Sequence, residues 1–352
     1  MSKAAELAAL IGSGQAQENK NLVINGAMAV AQRGTSSTGL GGNAEAYYVI
    51  DRIKHLHGGT SAGRYTATQE AITDLAGFPT ALKLACTTAD TSIAAGEFFG
   101  ISHFFEGQNV QRIQKGYSTA KSVTLSFYVK GNASATYTAE LKDTDNSRIN
   151  GQTFSVTTSW TRVELTYPAD TTGKLDNDNA LSFALNLYLH AGSTYTGGTF
   201  TNGTWASEVQ ANRISSSNTS FYDSTDRTFF ITGLQLEVGD VATPFEHEDF
   251  GTTLRKCQRY YQSMDYYFSS GSSSVNAFYY TPLCFPITMR ATPTMTASQW
   301  GQNTGDASSY HSSTLVNGWV LVSAASTACI VRGNHTNAYN LFQGRGKFDA
   351  EL

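Results

Sequence analysis

Gly59-Thr-Ser-Ala-Gly63 fits the G-x-S-x-G pattern that presents a nucleophilic serine on a sharp turn, and His57-Gly-Gly59 stands directly before it. Such an elbow needs a strand before the serine and a helix after it, because the helix N-terminus helps hold the strained turn. Arg64-Tyr-Thr-Ala-Thr68 follows instead and alternates like a strand, so the spacing predicts a hairpin loop. His55-x-His57 puts two imidazoles on one strand face, and His247-Glu-Asp249 is a compact donor group. Neither is joined by a further ligand at zinc spacing. Asp143-Thr-Asp-Asn146 and Asp176-Asn-Asp178 supply the hard oxygens that Ca²⁺ prefers, yet the same residues are turn formers, and turns are the simpler reading. Glycoside hydrolysis needs two carboxylates set by space rather than by spacing, and no motif singles out a pair.

Glycan binding is the chemistry the composition best permits. Aromatic rings stack on the apolar faces of sugars, while Asn, Asp, Gln and Ser bind hydroxyls. Aromatics in polar or Gly-rich surroundings are Tyr195, Trp205, Tyr222, Tyr266, Tyr267, Trp300 and Tyr310, although any one such ring is more often a core or interface residue than a sugar contact. The sequons at Asn132, Asn202, Asn218 and Asn334 carry little weight without a secretory route.

The scaffold beneath these residues is mostly strands. In 122–130 the inward set is Val123, Leu125, Phe127 and Val129. In 181–189 it is Leu181, Phe183, Leu185, Leu187 and Leu189, alternating with Ser182, Ala184, Asn186 and Tyr188, and then His190. Strict alternation marks half-buried antiparallel strands. Further strands are predicted at 135–142, 160–167, 228–238, 319–324 and 328–332, separated by Asp-, Asn- and Gly-rich turns. Residues 1–20 differ: Ala4, Leu7, Ala8 and Ile11 recur at helical spacing, Ser2 can cap, and Gly12 and Gly14 end the pattern. A helix of about ten residues is marginal alone and needs a partner surface or copies of itself. A second unit is expected from residue 251, where Pro282, Pro286 and Pro293 cluster beside Ser269–Ser274.

The whole chain fits this pattern. Its 352 residues suffice for about two domains. Charged residues are only 15%, below the roughly 25% of ordinary soluble proteins, and 32 Gly, 18 Tyr and 19 Phe point to strands and turns. A net charge of −4 leaves no electrostatic footprint for nucleic acid. No apolar run approaches the ~20 residues that span a bilayer, and no secretory leader is visible. Four cysteines without CxxC spacing suit a chain folded in a reducing cytoplasm. No cofactor is implied.

Several separated segments resemble one group of proteins. Asn21-Leu-Val-Ile-Asn-Gly-Ala-Met28, Ala31-Gln-Arg-Gly34, Tyr48-Val-Ile-Asp-Arg52 and Lys121–Lys130 come first, and Trp160-Thr-Arg-Val163 leads on to Pro168 and Thr171-Thr-Gly173. Ile231-Thr-Gly-Leu-Gln-Leu-Glu-Val-Gly239, Ala242-Thr-Pro-Phe-Glu246, Cys257-Gln-Arg-Tyr-Tyr261 and Gly346–Leu352 follow. In order and spacing this is similar to bacteriophage tail-fibre and virion-appendage proteins, over most of 21–352.

The resemblance implies an all-β chain: a jelly-roll β-sandwich like a carbohydrate-binding module over 21–250, then a second, smaller β-sandwich as a distal head over 251–352, with a short N-terminal helix. It implies attachment to the phage tail or capsid through 1–20, with Leu7, Leu10 and Ile11 as the anchoring face. It further implies a homotrimer on the virion, assembled in the bacterial cytoplasm as a short fibre, whose distal end meets the host surface; with the composition above, host-surface glycan is the expected partner there. Tyr266, Tyr267, Trp300 and Tyr310 are then the expected glycan-binding set, because they lie farthest from the anchor. A tail or capsid decoration without a receptor role is the alternative, and a polysaccharide depolymerase is a further one. Arg259, Tyr260 and Tyr261 are expected to fix the corner between the two units.

Overall fold

The computed structural model describes residues 19–269, 278–299, 320–334 and 341–352. The helix expected within 1–20, with Leu7, Leu10 and Ile11, lies outside the described residues. The first strands are β1 (Ser36–Gly41), β2 (Lys54–Gly58), β3 (Arg64–Ala71), β4 (Thr80–Thr88), β5 (Phe98–Glu106) and β6 (Val123–Gly131). They continue as β7 (Ala135–Asp143), β8 (Arg148–Val156), β9 (Thr161–Tyr167), β10 (Leu181–Ala191), β11 (Ala206–Ser207) and β12 (Thr228–Val238). One sheet has the order β1-β3-β4-β12-β6-β9 and the other β11-β8-β7-β10-β5-β2. Successive strands keep switching sheets, and β12 returns late to lie between β4 and β6, which is the jelly-roll manner of connection.

Alternation decides which way the strands face. Val123, Leu125, Phe127 and Val129 meet Phe183, Leu185, Leu187 and Leu189 between the sheets, with Tyr65, Phe99, Phe154 and Phe229 filling the layer. Burying each such side chain is worth about 1.5–3 kcal/mol. The strand readings at 122–130, 135–142, 160–167, 228–238 and 181–189 therefore agree with β6, β7, β9, β12 and β10. One expectation needs correction. β10 is not half-buried, because Ser182, Ala184, Asn186, Tyr188 and His190 on its other face are buried as well.

Residues 19–30 are locked under β12. Asn21 Oδ1 accepts from the backbone N–H of Val23 and Leu236, at 2.9 and 3.1 Å. Asn25, with φ of +63°, uses its side chain to bind Ala29, Val30 and Asp51 backbone groups. At the other end of the resemblance, Gln235 Nε2 donates to Glu237 Oε1 at 2.9 Å, and Glu237 accepts from the Thr243 backbone and hydroxyl. These motif residues are structural, as alternation in 235–239 predicts.

Helix α1 (Phe250–Gln258) follows, with Asp249 capping it by accepting from the Thr252 N–H. Beyond it lie β13 (Tyr261–Ser269), β14 (Phe278–Cys284), β15 (Thr294–Gln299), β16 (Val320–Ala324), β17 (Ala328–Asn334) and β18 (Leu341–Asp349). They form two three-stranded sheets, β13-β18-β15 and β14-β17-β16, around Leu283, Phe285, Met289, Cys329 and Phe348. The strands read at 319–324 and 328–332 are β16 and β17.

The corner between the units is a dense ionic joint. Arg259 donates twice to Glu106, at 2.8 and 2.6 Å, and the Tyr260 hydroxyl donates to the same carboxylate at 2.5 Å. The two tyrosine rings stack on arginines other than Arg259. Arg52 lies over Tyr260 and Arg33 over Tyr261, while both guanidiniums also pair with Glu351.

Candidate functional site

Each donor group singled out in the sequence has a structural occupation. Ser61 is buried and its hydroxyl donates to Asp90 at 2.8 Å; β3 follows as a strand, so the G-x-S-x-G segment is the hairpin loop read from it. His55 and His57 do share a face of β2, but that face points into the core. His55 shares a 2.7 Å hydrogen bond with the Tyr65 hydroxyl, and His57 stacks on Phe99 with 5.0 Å between centroids. Burial pulls their pKa values down to about 3 and about 4, so both imidazoles are neutral. His247, Glu248 and Asp249 diverge: the imidazole packs on Phe78, Glu248 pairs with Lys256, and Asp249 caps α1.

The acidic turn at 143–146 gathers oxygens as a cation site would, but a lysine fills it. Lys115 Nζ lies 2.5 Å from Asp143 and 3.0 Å from Asp170, and it donates to the Thr172 and Gly173 carbonyls. Asp178 turns its carboxylate onto the Ala180 N–H at 3.0 Å. Among the described residues, no group of three or more His, Cys, Asp or Glu side chains is arranged to hold a metal ion. Nor is any described helix long and apolar enough to cross a membrane.

The candidate aromatics divide likewise. Tyr222 is in the core, Trp205 packs against it and donates to the Pro168 carbonyl, and Tyr195 sits edge-on to Phe98. Tyr266 and Tyr267 occupy adjacent positions of β13, opposite Gly344 and Gln343 of β18. Trp300 and Tyr310 lie outside the described residues.

What remains for a ligand is set by the sheets' outer faces. The face carrying β10 is closed. Arg213, from the excursion after β10, reaches across it to donate twice to the fully buried Glu140, at 3.0 and 2.7 Å, and Asn186 donates to that carboxylate at 2.9 Å. Leu352 covers Leu56, Phe104 and Ala184 at its other end. This cover is why β10 is buried on both sides.

The outer face of the opposite sheet is half open. Register places Lys83 of β4, Phe230 of β12 and Lys130 of β6 in one row. Trp160, just before β9, stands edge-on to Phe230 with 6.2 Å between centroids. Lys130 Nζ sits 5.0 and 5.1 Å from the two rings, within cation–π range. Asp74, from the loop joining β3 to β4, accepts from Trp160 Nε1 at 2.9 Å and from Lys130 at 2.5 Å. Those two hydrogen bonds hold its carboxyl below the usual range, so it stays an acceptor. Lys83 pairs with Glu70 at 3.2 Å. The result is a partly exposed aromatic platform rimmed by paired charges.

The same loop, residues 72–79, divides this face. Asp74 borders the platform, while Gly77 and Pro79 border a cavity of about 250 Å³ that Phe245, His247 and Phe250 also line. Sequence reading overlooked Asp74, Lys130, Trp160 and Phe230 as a group. The outward phase of Lys130 was readable from its strand, but the four lie on separate elements and only the sheet order joins them.

No protein-family model matches the chain, and no curated protein matches it. Among solved structures, the chain is similar to the enzymatically active domain of tailspike protein 4 from bacteriophage CBA120, with 11% identity and a TM-score of 0.31. That match covers 62% of this chain and 21% of the other, so the chain spans about a fifth of the tailspike structure. A family 11 carbohydrate-binding module from Clostridium thermocellum, in complex with a β-1,3-1,4-mixed-linked tetrasaccharide, is 10% identical with a TM-score of 0.29, covering 59% of this chain and 98% of that one. The N-terminal cellulose-binding domain of Cellulomonas fimi β-1,4-glucanase C is 12% identical with a TM-score of 0.26, over 48% of this chain and 88% of the other.

Proposed function

We propose that this protein is a non-enzymatic bacteriophage virion appendage that adheres to host-surface glycan. The observation that carries the adhesive part is the Trp160–Phe230 platform. Two half-exposed rings stand on the open half of a sheet whose opposite number is sealed, with Asp74, Lys130, Lys83 and Glu70 at their edge. Rings suit the CH faces of a sugar, and paired acids and bases suit hydroxyls, which both donate and accept. Because each lysine already has its carboxylate, uncharged sugars fit better than acidic ones.

The appendage part rests on the ordered motifs at 21–34, 48–52, 231–246, 257–261 and 346–352. Residues 1–20 attach the chain to tail or capsid, and copies associate as a homotrimer. Several weak sites on one particle then act together through effective concentration. Tyr266, Tyr267, Trp300 and Tyr310 are the second proposed contact set, at the distal end.

The test is binding of labelled full-length protein to candidate host cells, with periodate-treated cells alongside. Periodate-sensitive binding that falls at least tenfold in Trp160→Ala and Phe230→Ala supports the platform. Loss in Tyr266→Ala and Tyr267→Ala alone moves adhesion to the distal set. Correctly folded protein that binds no host cell overturns the adhesive function and leaves a decoration protein.

A further inference from the structure

The cavity on the far flank of the 72–79 loop adds a second site and rests on the glycan-adhesion reading. At about 250 Å³ it sits just below the ~300–1,000 Å³ range of small-molecule sites, so a single small ring fills it. Phe245 and His247 form one wall, 4.9 Å apart and edge to face, backed by the buried Phe78 at 5.1 Å from each. Phe250, at the first turn of α1, is 59% exposed and stands at the rim. Its ring is therefore open to a ligand at the cavity mouth.

The polar lining narrows the ligand. Glu248 is already occupied, by Lys256 on one oxygen and the Thr253 hydroxyl on the other. Glu246 has one oxygen tied to the Asn21 N–H at 2.7 Å, and its other oxygen has no partner among the described residues. An acidic sugar would therefore meet two carboxylates and one lysine that is already neutralised. A purely apolar ligand would strip water from Glu246 without replacing its hydrogen bonds. An uncharged hexose avoids both penalties, setting a CH face on Phe250 or Phe245 and a hydroxyl on Glu246.

We propose that this cavity is a second sugar site, taking one uncharged hexose unit, with Phe250 as its stacking wall and Glu246 as its hydroxyl acceptor. The platform and the cavity flank the same loop, so one chain holds two sugar units on one face. A branched or repeating surface glycan then gains from both through effective concentration.

Titration of full-length protein with free glucose, galactose and mannose tests this, read by saturation-transfer NMR and calorimetry, with glucuronate as the acidic control. The expected result is two sites for at least one neutral hexose. Phe250→Ala, at an exposed position that leaves folding intact, weakens one site at least tenfold. Trp160→Ala weakens only the other. Glucuronate binds the cavity at least tenfold more weakly than the neutral sugar. Two sites unchanged in Phe250→Ala, or glucuronate binding there as tightly, overturns the proposal. A protein that binds hexose at one site only, lost in Trp160→Ala, overturns the cavity and keeps the adhesive platform. A protein that binds neither hexose nor host cells overturns both.

Discussion

The guanidinium carbon of Arg52 lies 3.5 Å above the Tyr260 ring centroid, and the same side chain pairs with Glu351 and donates to the Phe104 carbonyl at 2.6 Å. Arg52 is fully buried, so its charge is carried entirely by those partners. Replacing it with Met leaves the buried Glu351 with Arg33 alone, 3.4 Å away, and removes the cation stacked on Tyr260, which costs about 3 kcal/mol. Arg52→Lys recovers only part, because an ammonium cannot both stack on the ring and span Glu351 and Phe104. Denaturant midpoints of the two variants check the order: wild type above Lys, and Lys above Met.

Acid destabilises the protein through its interior histidines. His55 and His57 take up protons near 6.5 when unfolded, but only near 3 and 4 in the fold, because burial disfavours the cation. Burial also holds His103 well below its ordinary value. Between those limits the unfolded chain binds more protons, so stability present above pH 6.5 is lost as pH falls towards 4. Asp51 acts oppositely. Burial raises it to about 6, so between 6 and 3.8 the folded chain holds the extra proton and regains stability. At about 1.4 kcal/mol per unit, His55, His57 and Asp51 together give a net loss of roughly 4 kcal/mol by pH 4. Urea unfolding from pH 7.5 to 4 checks the slope, and His57→Phe flattens it.

Lys115 stands where two acidic loops would otherwise repel. Its side chain is 2% exposed and serves both Asp143 and Asp170. Lys115→Met is expected to cost about 3–5 kcal/mol by stranding the fully buried Asp143, while Asp170 keeps Arg148 at 2.8 Å. Adding Asp143→Asn to that variant restores part of the loss, as thermal melts of the single and double variants will show.

Gly26→Ala tests the seam between the opening segment and β12. A methyl group there would stand 2.0 Å from the Leu234 carbonyl oxygen, a backbone atom that cannot swing aside. Separating the two strips also breaks the hydrogen bond from Leu234 N–H to the Gly26 carbonyl, now 2.9 Å. The expected cost is about 3 kcal/mol, with faster hydrogen exchange at Leu234 as the local signature.

Much of the sandwich could be read from alternation, because the residues that choose a face are neighbours in the chain. Val123, Leu125, Phe127 and Val129 declare their side without knowing their partners. The cover over β10 could not be read this way. Arg213 reaches Glu140 from 73 residues away, out of an irregular segment with no period of its own. The lysine in the acidic turn was hidden for the same reason, since positions 115, 143 and 170 meet only once the sheets are stacked. Arg259-Tyr260-Tyr261 reads as a joint from its residue types, yet the arginines that stack on those rings are Arg33 and Arg52. The platform required four elements to be ordered first, so single residues such as Tyr222 attracted notice for their surroundings in sequence and proved to be core.

The pairing of Arg52 with Glu351 joins residues separated by 299 positions. At ~5–20 residues per second, the ribosome needs roughly 15–60 s to deliver the second partner after the first. For that interval the nascent sandwich carries Arg52 and Arg33 without the carboxylates at 349 and 351, and β13 has no β18 to pair with. The sandwich can collapse early, but its corner sets only when synthesis has passed β18. A chain that lacks Asp349 and Glu351 would therefore keep an open, cationic seam at this corner, accessible to proteases.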